Sequence, residues 1–232
     1  MKVLVTGGSG FLGKRLKMRE PTWQYVSSKD YDLINPIEVK QMFKEIRPDA
    51  VVHLAARVGG IKDNAENQAL FYYQNVMMNT NIIHEAYLAG IPRVLSSLST
   101  CAFPDKLEHY PFSEKDFHKG SPTETNFSYG YSKRMLHVQS AAYRKQYGMN
   151  YSTFCPSNLY GPQQLYVDDL CEIIPILLER HNSDIPLIVA PNENLSVHKM
   201  SQIITEVDKK RSVSFTFNGK LDGQYRKDGD NS

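Results

Sequence analysis

Tyr129 and Lys133 stand four residues apart in Y-G-Y-S-K, a spacing that puts both on one helical face, one turn from each other. Ser99 opens S-T-C at the end of the apolar run Val94 to Leu98. A phenol beside an ammonium and opposite a serine hydroxyl can move a proton during carbonyl chemistry. The ammonium favours the phenolate and draws the phenol pKa down toward working pH. The phenol then gives its proton to a carbonyl oxygen as hydride reaches the carbon, while the serine steadies the developing charge. Cys101, two residues past Ser99, adds a thiol that is a reasonable base near neutral pH; the bland alternative is a small buried hydrophobe. A Y-x-x-x-K spacing alone is common on surface helices, so its weight comes from its company.

That company begins at the amino terminus. Lys2 to Thr6 is a short β-branched run of the kind buried on both faces of a sheet, and it opens into glycines at Gly7, Gly8, Gly10 and Gly13. A helix starting near Gly10 would aim free N–H groups and its positive end at a pyrophosphate. Gly7 then makes the tight turn, Gly10 admits the phosphate and Gly13 lets helix pack on strand. The second strand, Trp23 to Ser27, ends in S-S-K-D without the acid that usually meets a ribose 2′-hydroxyl. Lys29 with two hydroxyls suits a 2′-phosphate, assisted by Lys14 and Arg15, so NADPH is expected over NADH; Lys29 as a solvated loop residue is the alternative.

The rest of the chain alternates strand and helix. Asn35-Pro36 opens a helix with Ile37, Val39, Phe43 and Ile46 at helical period. Ala50 to Leu54 is a third strand, with His53 read as a packed histidine and Ala55-Ala56 allowing close approach. Val58-Gly59-Gly60-Ile61 follows as a loop at the carboxyl edge, then a long helix from about Asn67 to Ala89 carrying Asn79 and Asn81. Val94 to Leu98 is strand four, a helix opens at Tyr129 and runs to about Tyr147, and Tyr151 to Cys155 is strand five. Beyond it come a helix from Val167 to about His181, a strand Pro186 to Val189, a helix capped by Ser196 and a strand Val213 to Phe217. This alternation predicts an α/β fold with a doubly wound parallel (Rossmann) sheet in residues 1–162 and a smaller, mainly substrate-binding region in 163–232.

Composition bounds the partners. The 232 residues are 22% charged and 41% hydrophobic with net charge +2, and neither sign forms a long block, so no nucleic acid or membrane partner is expected. No run of eighteen apolar residues occurs, and the chain opens on a strand rather than a leader, so neither a membrane span nor secretion is expected. Three cysteines suit a reducing compartment without disulfides, which places the protein in the cytoplasm; no metal is expected.

Gly7-x-x-Gly10-x-x-Gly13, Leu54-Ala55-Ala56, Ser99 and Tyr129-x-x-x-Lys133 together resemble the extended short-chain dehydrogenase/reductases that act on nucleotide sugars. Within them, A-A-x-V-G-G at 55–60, S-x-C at 99–101, P-S-N-L-Y-G-P at 156–162 and D-G-Q-Y-R-K at 222–227 are similar to the GDP-L-fucose synthases. The resemblance implies NADPH-dependent 3,5-epimerisation and 4-keto reduction of GDP-4-keto-6-deoxy-mannose. It implies cofactor contacts at Gly7, Gly10, Phe11, Gly13, Lys29, Asp32, Leu33, Leu54, Ala55, Ala56 and Lys133, and substrate contacts at Val58, Gly59, Asn158 and Lys220, although Lys220 also reads as a solvated loop lysine. Ser99, Tyr129 and Lys133 would serve reduction, and Cys101 would exchange ring protons with a histidine from a later loop as partner. A homodimer built on two long helices from each subunit is likewise a family expectation. Two readings compete: another nucleotide-sugar 4-epimerase or 4-ketoreductase holding NAD, and an inactive NADP-binding protein.

The sequence also departs from the family. Between the G-P of strand five and V-D-D, relatives carry a long segment with the partner histidine in H-V-x-P and a following W-G-x-G and arginine, whereas here Gln164 runs directly into Leu165-Tyr166-Val167. None of the remaining histidines, including His181 and His198, stands in the context of the lost one. The first helix is clipped near Lys17, and the family's final helix has no counterpart before Ser232.

Overall fold

Among the described residues the short β-branched runs become strands and the amphipathic segments helices. The computed structural model describes residues 1–157 and 166–191 together with positions 202 and 205. In order these are β1 (Val3–Thr6), α1 (Phe11–Arg19), β2 (Gln24–Val26), α2 (Pro36–Ile46), β3 (Ala50–His53), α3 (Ile61–Glu66), α4 (Gln68–Leu88), β4 (Arg93–Ser97), α5 (Phe127–Tyr147), β5 (Asn150–Pro156), α6 (Val167–Arg180) and β6 (Leu187–Val189). All strand pairs are parallel, in the order β2-β1-β3-β4-β5-β6.

Strand alternation sorts the core into two layers. Leu4, Val51 and Val94, aligned across β1, β3 and β4, face α2, α4 and α5, where Val39, Met42, Phe43, Ile82 and Leu136 are buried. Val3, Val5, Val52 and Leu95 face the other way, onto Leu16 of α1 and Leu170, Cys171 and Ile174 of α6. On that side Arg15 pairs with Asp168 at 3.5 Å and Arg19 with Glu172 at 2.9 Å, so Arg15 is turned to α6 and not to a cofactor phosphate. α2 starts as its sequence predicts: Pro36 is its first residue and Asn35 Oδ1 accepts from the Ile37 N–H at 3.0 Å.

Element bounds fall within a few residues of expectation, with one addition. The loop after Gly60 winds into α3, where Asn64 Nδ2 donates to the carbonyls of Gly59 (2.8 Å) and Gly60 (3.1 Å). From the stretch 163–232, β6 extends the main sheet, α6 packs on its face, and Gln202 and Thr205 are helical. The predicted strand Val213 to Phe217 and the 222–227 motif lie outside the described residues.

His53 is fully buried as expected, its Nδ1 2.8 Å from Thr6 Oγ1 and its Nε2 3.1 Å from Asn79 Oδ1. Burial, then the Lys133 charge, depresses its pKa to about 4; burial and neighbouring His118 depress His137 to about 4 as well. Both rings take up protons more readily in the unfolded chain, whose histidines titrate near pH ~6.5. Their contribution to stability is therefore complete above that pH and is lost as pH falls toward about 4. The melting temperature should drop across this window, and His53→Leu should flatten the dependence while lowering stability at neutral pH, because it strands Thr6 and Asn79; calorimetry against pH checks both.

Candidate active site

The site is built where β1 and β3 end. Because β2 lies on one side of β1 and β3 on the other, the chain reverses its winding there and leaves a crevice at the carboxyl ends. Gly7 turns the chain at φ +77°, and a Cβ on it would sit 2.8 Å from the Ala55 nitrogen; one on Gly13 would sit 2.3 Å from the Gly7 carbonyl oxygen. Only bare backbone allows the three segments to meet this closely. α1 begins at Gly10 with no side-chain cap and no acid in its first turn, so its positive end faces the crevice uncompensated.

A cleft of about 550 Å³ opens over this turn. Gly7, Gly10, Phe11 and Gly13 form one wall, Leu54, Ala55 and Ala56 the floor after β3, and Ser27, Ser28, Tyr31, Asp32 and Leu33 the far end after β2. Ser99, Tyr129 and Lys133 line the other end with Ser97, Pro156 and Ser157, and Val58 stands at the rim. A cradle that a single Cβ would fill, an uncapped helix start and a buried cation fit a dinucleotide.

Lys133 is 2% exposed, and its Nζ donates to the Ser97 carbonyl at 2.8 Å. Burial lowers its pKa to about 8, and the ammonium lies 5.9 Å from the Tyr129 ring centroid. Tyr129 differs from expectation. Its phenol pKa is raised, chiefly by burial and then by the nearby Cys101 thiol, with the Ser99 hydrogen bond acting in the opposite direction. Burial is the dominant cause, so the resting group is a protonated donor already hydrogen-bonded to Ser99.

Ser99 also anchors a 3-10 turn over Thr100–Ala102, its Oγ accepting from the Cys101 N–H at 3.2 Å. Cys101 is half-buried and is not among the residues that line the cleft; it lies within electrostatic reach of Tyr129 and 3.6 Å from Asn126 Nδ2. Lys29 is exposed on the turn after β2, outside the cleft lining, and Gly59 is likewise outside it. At that turn the Asp30 carboxylate accepts from Ser27 N–H and Oγ, both at 2.7 Å, and these bonds with Lys17 and Lys29 hold its pKa below the usual carboxylate value. Asn158 and Lys220 lie outside the described residues.

Sequence reading missed Arg57. It lines the cleft, lies over the Phe71 ring at 4.9 Å and donates from Nη1 to Gln74 at 3.0 Å, with no carboxylate partner among the described residues. Its backbone is pinned from both sides by Asn75, whose Oδ1 accepts from Arg57 N–H (2.9 Å) and whose Nδ2 donates to Arg57 O (3.0 Å). A mid-helix asparagine, costly by propensity, was the available signal.

The model of the NAD dependent epimerase/dehydratase family matches residues 3–194. The chain belongs to this family. Among relatives of this epimerase/dehydratase, the Drosophila melanogaster protein named "Probable GDP-L-fucose synthase" is 32% identical, covering 100% of this chain and 89% of its own length. A GDP-L-fucose synthase of Dictyostelium discoideum is 30% identical, covering 99% and 86%. The crystal structure of a GDP-L-fucose synthetase from Naegleria fowleri superposes with a TM-score of 0.85 at 29% identity over 99% of this chain and 84% of that one; its form bound to NADP gives 0.80 over 89% and 82%. The Drosophila alignment runs over 286 positions against 232 residues here, so the relative carries residues that this chain lacks.

Because Lys133 loses its proton near pH 8, affinity for a nicotinamide dinucleotide should weaken as pH rises through about 8 and hold steady below it. Fluorescence titration across pH 6.5–9.5 measures this, with Lys133→Met showing weak, pH-independent binding.

Proposed function

We propose that this chain catalyses the NADPH-dependent 3,5-epimerisation and 4-keto reduction of GDP-4-keto-6-deoxy-mannose to GDP-L-fucose. The observation that carries this reading is the Ser99–Cys101 turn, which sets a thiol within electrostatic reach of the Tyr129 phenol that lines one end of the cleft. A reductase alone needs the phenol and serine; the thiol is the part that ring-proton exchange would require.

NADPH, when bound, supplies the hydride for C4. Gly7, Gly13 and the first turn of α1 would hold its pyrophosphate, Asp32 and Leu33 would border the adenosine end, and Lys133 would reach the nicotinamide ribose. Cys101 withdraws the proton from the ring carbon next to the keto group, and the electron pair of that C–H bond moves into an enolate. Ser99 and Tyr129 hold the enolate oxygen. In the reductive step Tyr129 donates its proton to the C4 oxygen, and the Lys133 charge stabilises the phenolate left behind. Inversion also needs a proton delivered to the opposite face, and among the described residues no histidine lines the cleft.

NADP is favoured over NAD because Asp30, the acid at the β2 tip, is committed to Ser27 and flanked by Lys17 and Lys29. Residues 163–232 outside the sheet would bind the GDP-sugar, with Asn158 and Lys220 contributing. No helix among the described residues is long and apolar enough to cross a membrane, and the reading places the enzyme in the cytoplasm. Exposed Leu70, Tyr72 and Tyr73 on α4 with Phe127 and Val138 on α5 support a homodimer through these helices.

Two substitutions test the reading. Cys101→Ser should abolish solvent deuterium incorporation at C3 and C5 while dinucleotide affinity is unchanged. Lys29→Asp should weaken NADPH binding by about tenfold or more with little effect on NADH. Wild-type protein that oxidises NADPH with the keto-sugar yet incorporates no deuterium would be a 4-ketoreductase; equal losses for both dinucleotides would remove the NADP assignment.

A further inference from the structure

α5 carries two parallel rows of groups at four-residue spacing. Tyr129 and Lys133 form one and line the cleft. Asn126, just before the helix, Gly130 and Arg134 form the next, and every member meets the turn that bears the thiol. Asn126 is 8% exposed and makes no capping bond; its Nδ2 instead donates to Cys101 Sγ at 3.6 Å. Gly130 lies so close that a Cβ would stand 2.5 Å from the Cys101 carbonyl oxygen and 2.8 Å from Pro122 Cβ. Arg134, 6% exposed, donates from Nε to the Ala102 carbonyl at 2.5 Å.

A backbone clamp on both sides of the Cys101–Ala102 peptide, and an amide aimed at the sulfur, exceed what packing a loop onto a helix requires. The buried amide has forgone the local bonds that asparagine normally makes at a helix start. Resting on the proposed function, we propose that Asn126 is a positioning residue that orients the Cys101 thiol toward the sugar ring, with Gly130 and Arg134 fixing the turn it acts on. The hydrogen bond donates to sulfur, so it fixes the direction in which the thiol points. One rigid helix thereby sets the separation of the ring-proton base from the phenol: the row of Asn126, Gly130 and Arg134 bears on the base, and the row of Tyr129 and Lys133 on the carbonyl oxygen that both steps share.

The test uses the full chain loaded with NADP. Asn126→Asp keeps the size of the side chain but sets a carboxylate against the sulfur. Deuterium incorporation at C3 and C5 should fall by about tenfold or more. Reduction of a GDP-4-keto sugar already epimerised at both centres should change by less than about twofold. Alkylation of Cys101 by iodoacetamide, followed by mass spectrometry and independent of turnover, should slow by about tenfold. Melting temperature and dinucleotide affinity verify the fold, and if this variant does not fold, Asn126→Ala carries the exchange-to-reduction ratio. Exchange and reduction falling together, or alkylation unchanged or faster in Asn126→Asp, overturns the positioning role. Wild-type protein that neither exchanges nor reduces overturns the proposed function instead, and the alkylation rates still decide what Asn126 does.

Discussion

The contact on which the whole cleft depends is backbone against backbone: the carbonyl of Gly7 beneath Gly13, and Gly7 itself against Ala55. The amino end of α1 can lie over the sheet only because no side chain separates these segments. β1 and β3 are fixed in register beneath it, Val5 beside Val52 and Thr6 beside His53, so the turn inherits its position from a buried ladder. A change of one carbon there would be transmitted to every residue that faces a bound phosphate, because the densely packed layer below has no room to yield.

The second constraint is polar and runs along α4. Asn75 holds the chain after β3 at Arg57, Asn79 joins His53 to the Ser132 carbonyl of α5, and Asn81 donates to the carbonyls of Leu33 and Ile34 after β2. The loops after β2 and β3 at the cleft, together with a strand histidine and one carbonyl of α5, thus have their polar groups satisfied from one helix. Such networks cost helix propensity and return definition of geometry, because a half-made set would leave buried polar atoms unpaired.

Much of this was legible from residue order. Apolar runs of four to five residues and the Asn35-Pro36 start gave the sheet and α2, since those signals are local. The glycine turn, the S-T-C edge and the Tyr129–Lys133 pair named most of the cleft for the same reason. What was not legible depended on distance in sequence. The direction of the Tyr129 pKa is set first by how deeply the phenol is buried, which spacing does not encode. Arg57 and Asn75 are eighteen residues apart and meet only once α4 folds back across β3. α3 was missed because Gly59-Gly60 reads as a loop, and its winding is secured by Asn64 reaching back to those glycine carbonyls. Lys29 and Cys101 carry groups suited to a phosphate and to a ring proton, yet neither lines the cleft: the first is solvent-exposed and the second half-buried.

The raised phenol pKa gives the site a direction. Across the physiological range Tyr129 rests loaded with the proton that an alcohol product must receive, so forward turnover begins from the dominant charge state. Running backward, alcohol oxidation would have to start from the phenolate that burial disfavours, and alkaline conditions would be needed to populate it. Desolvation therefore decides which charge state each direction of turnover must start from, while the balance between ketone and alcohol is left to the substrates themselves.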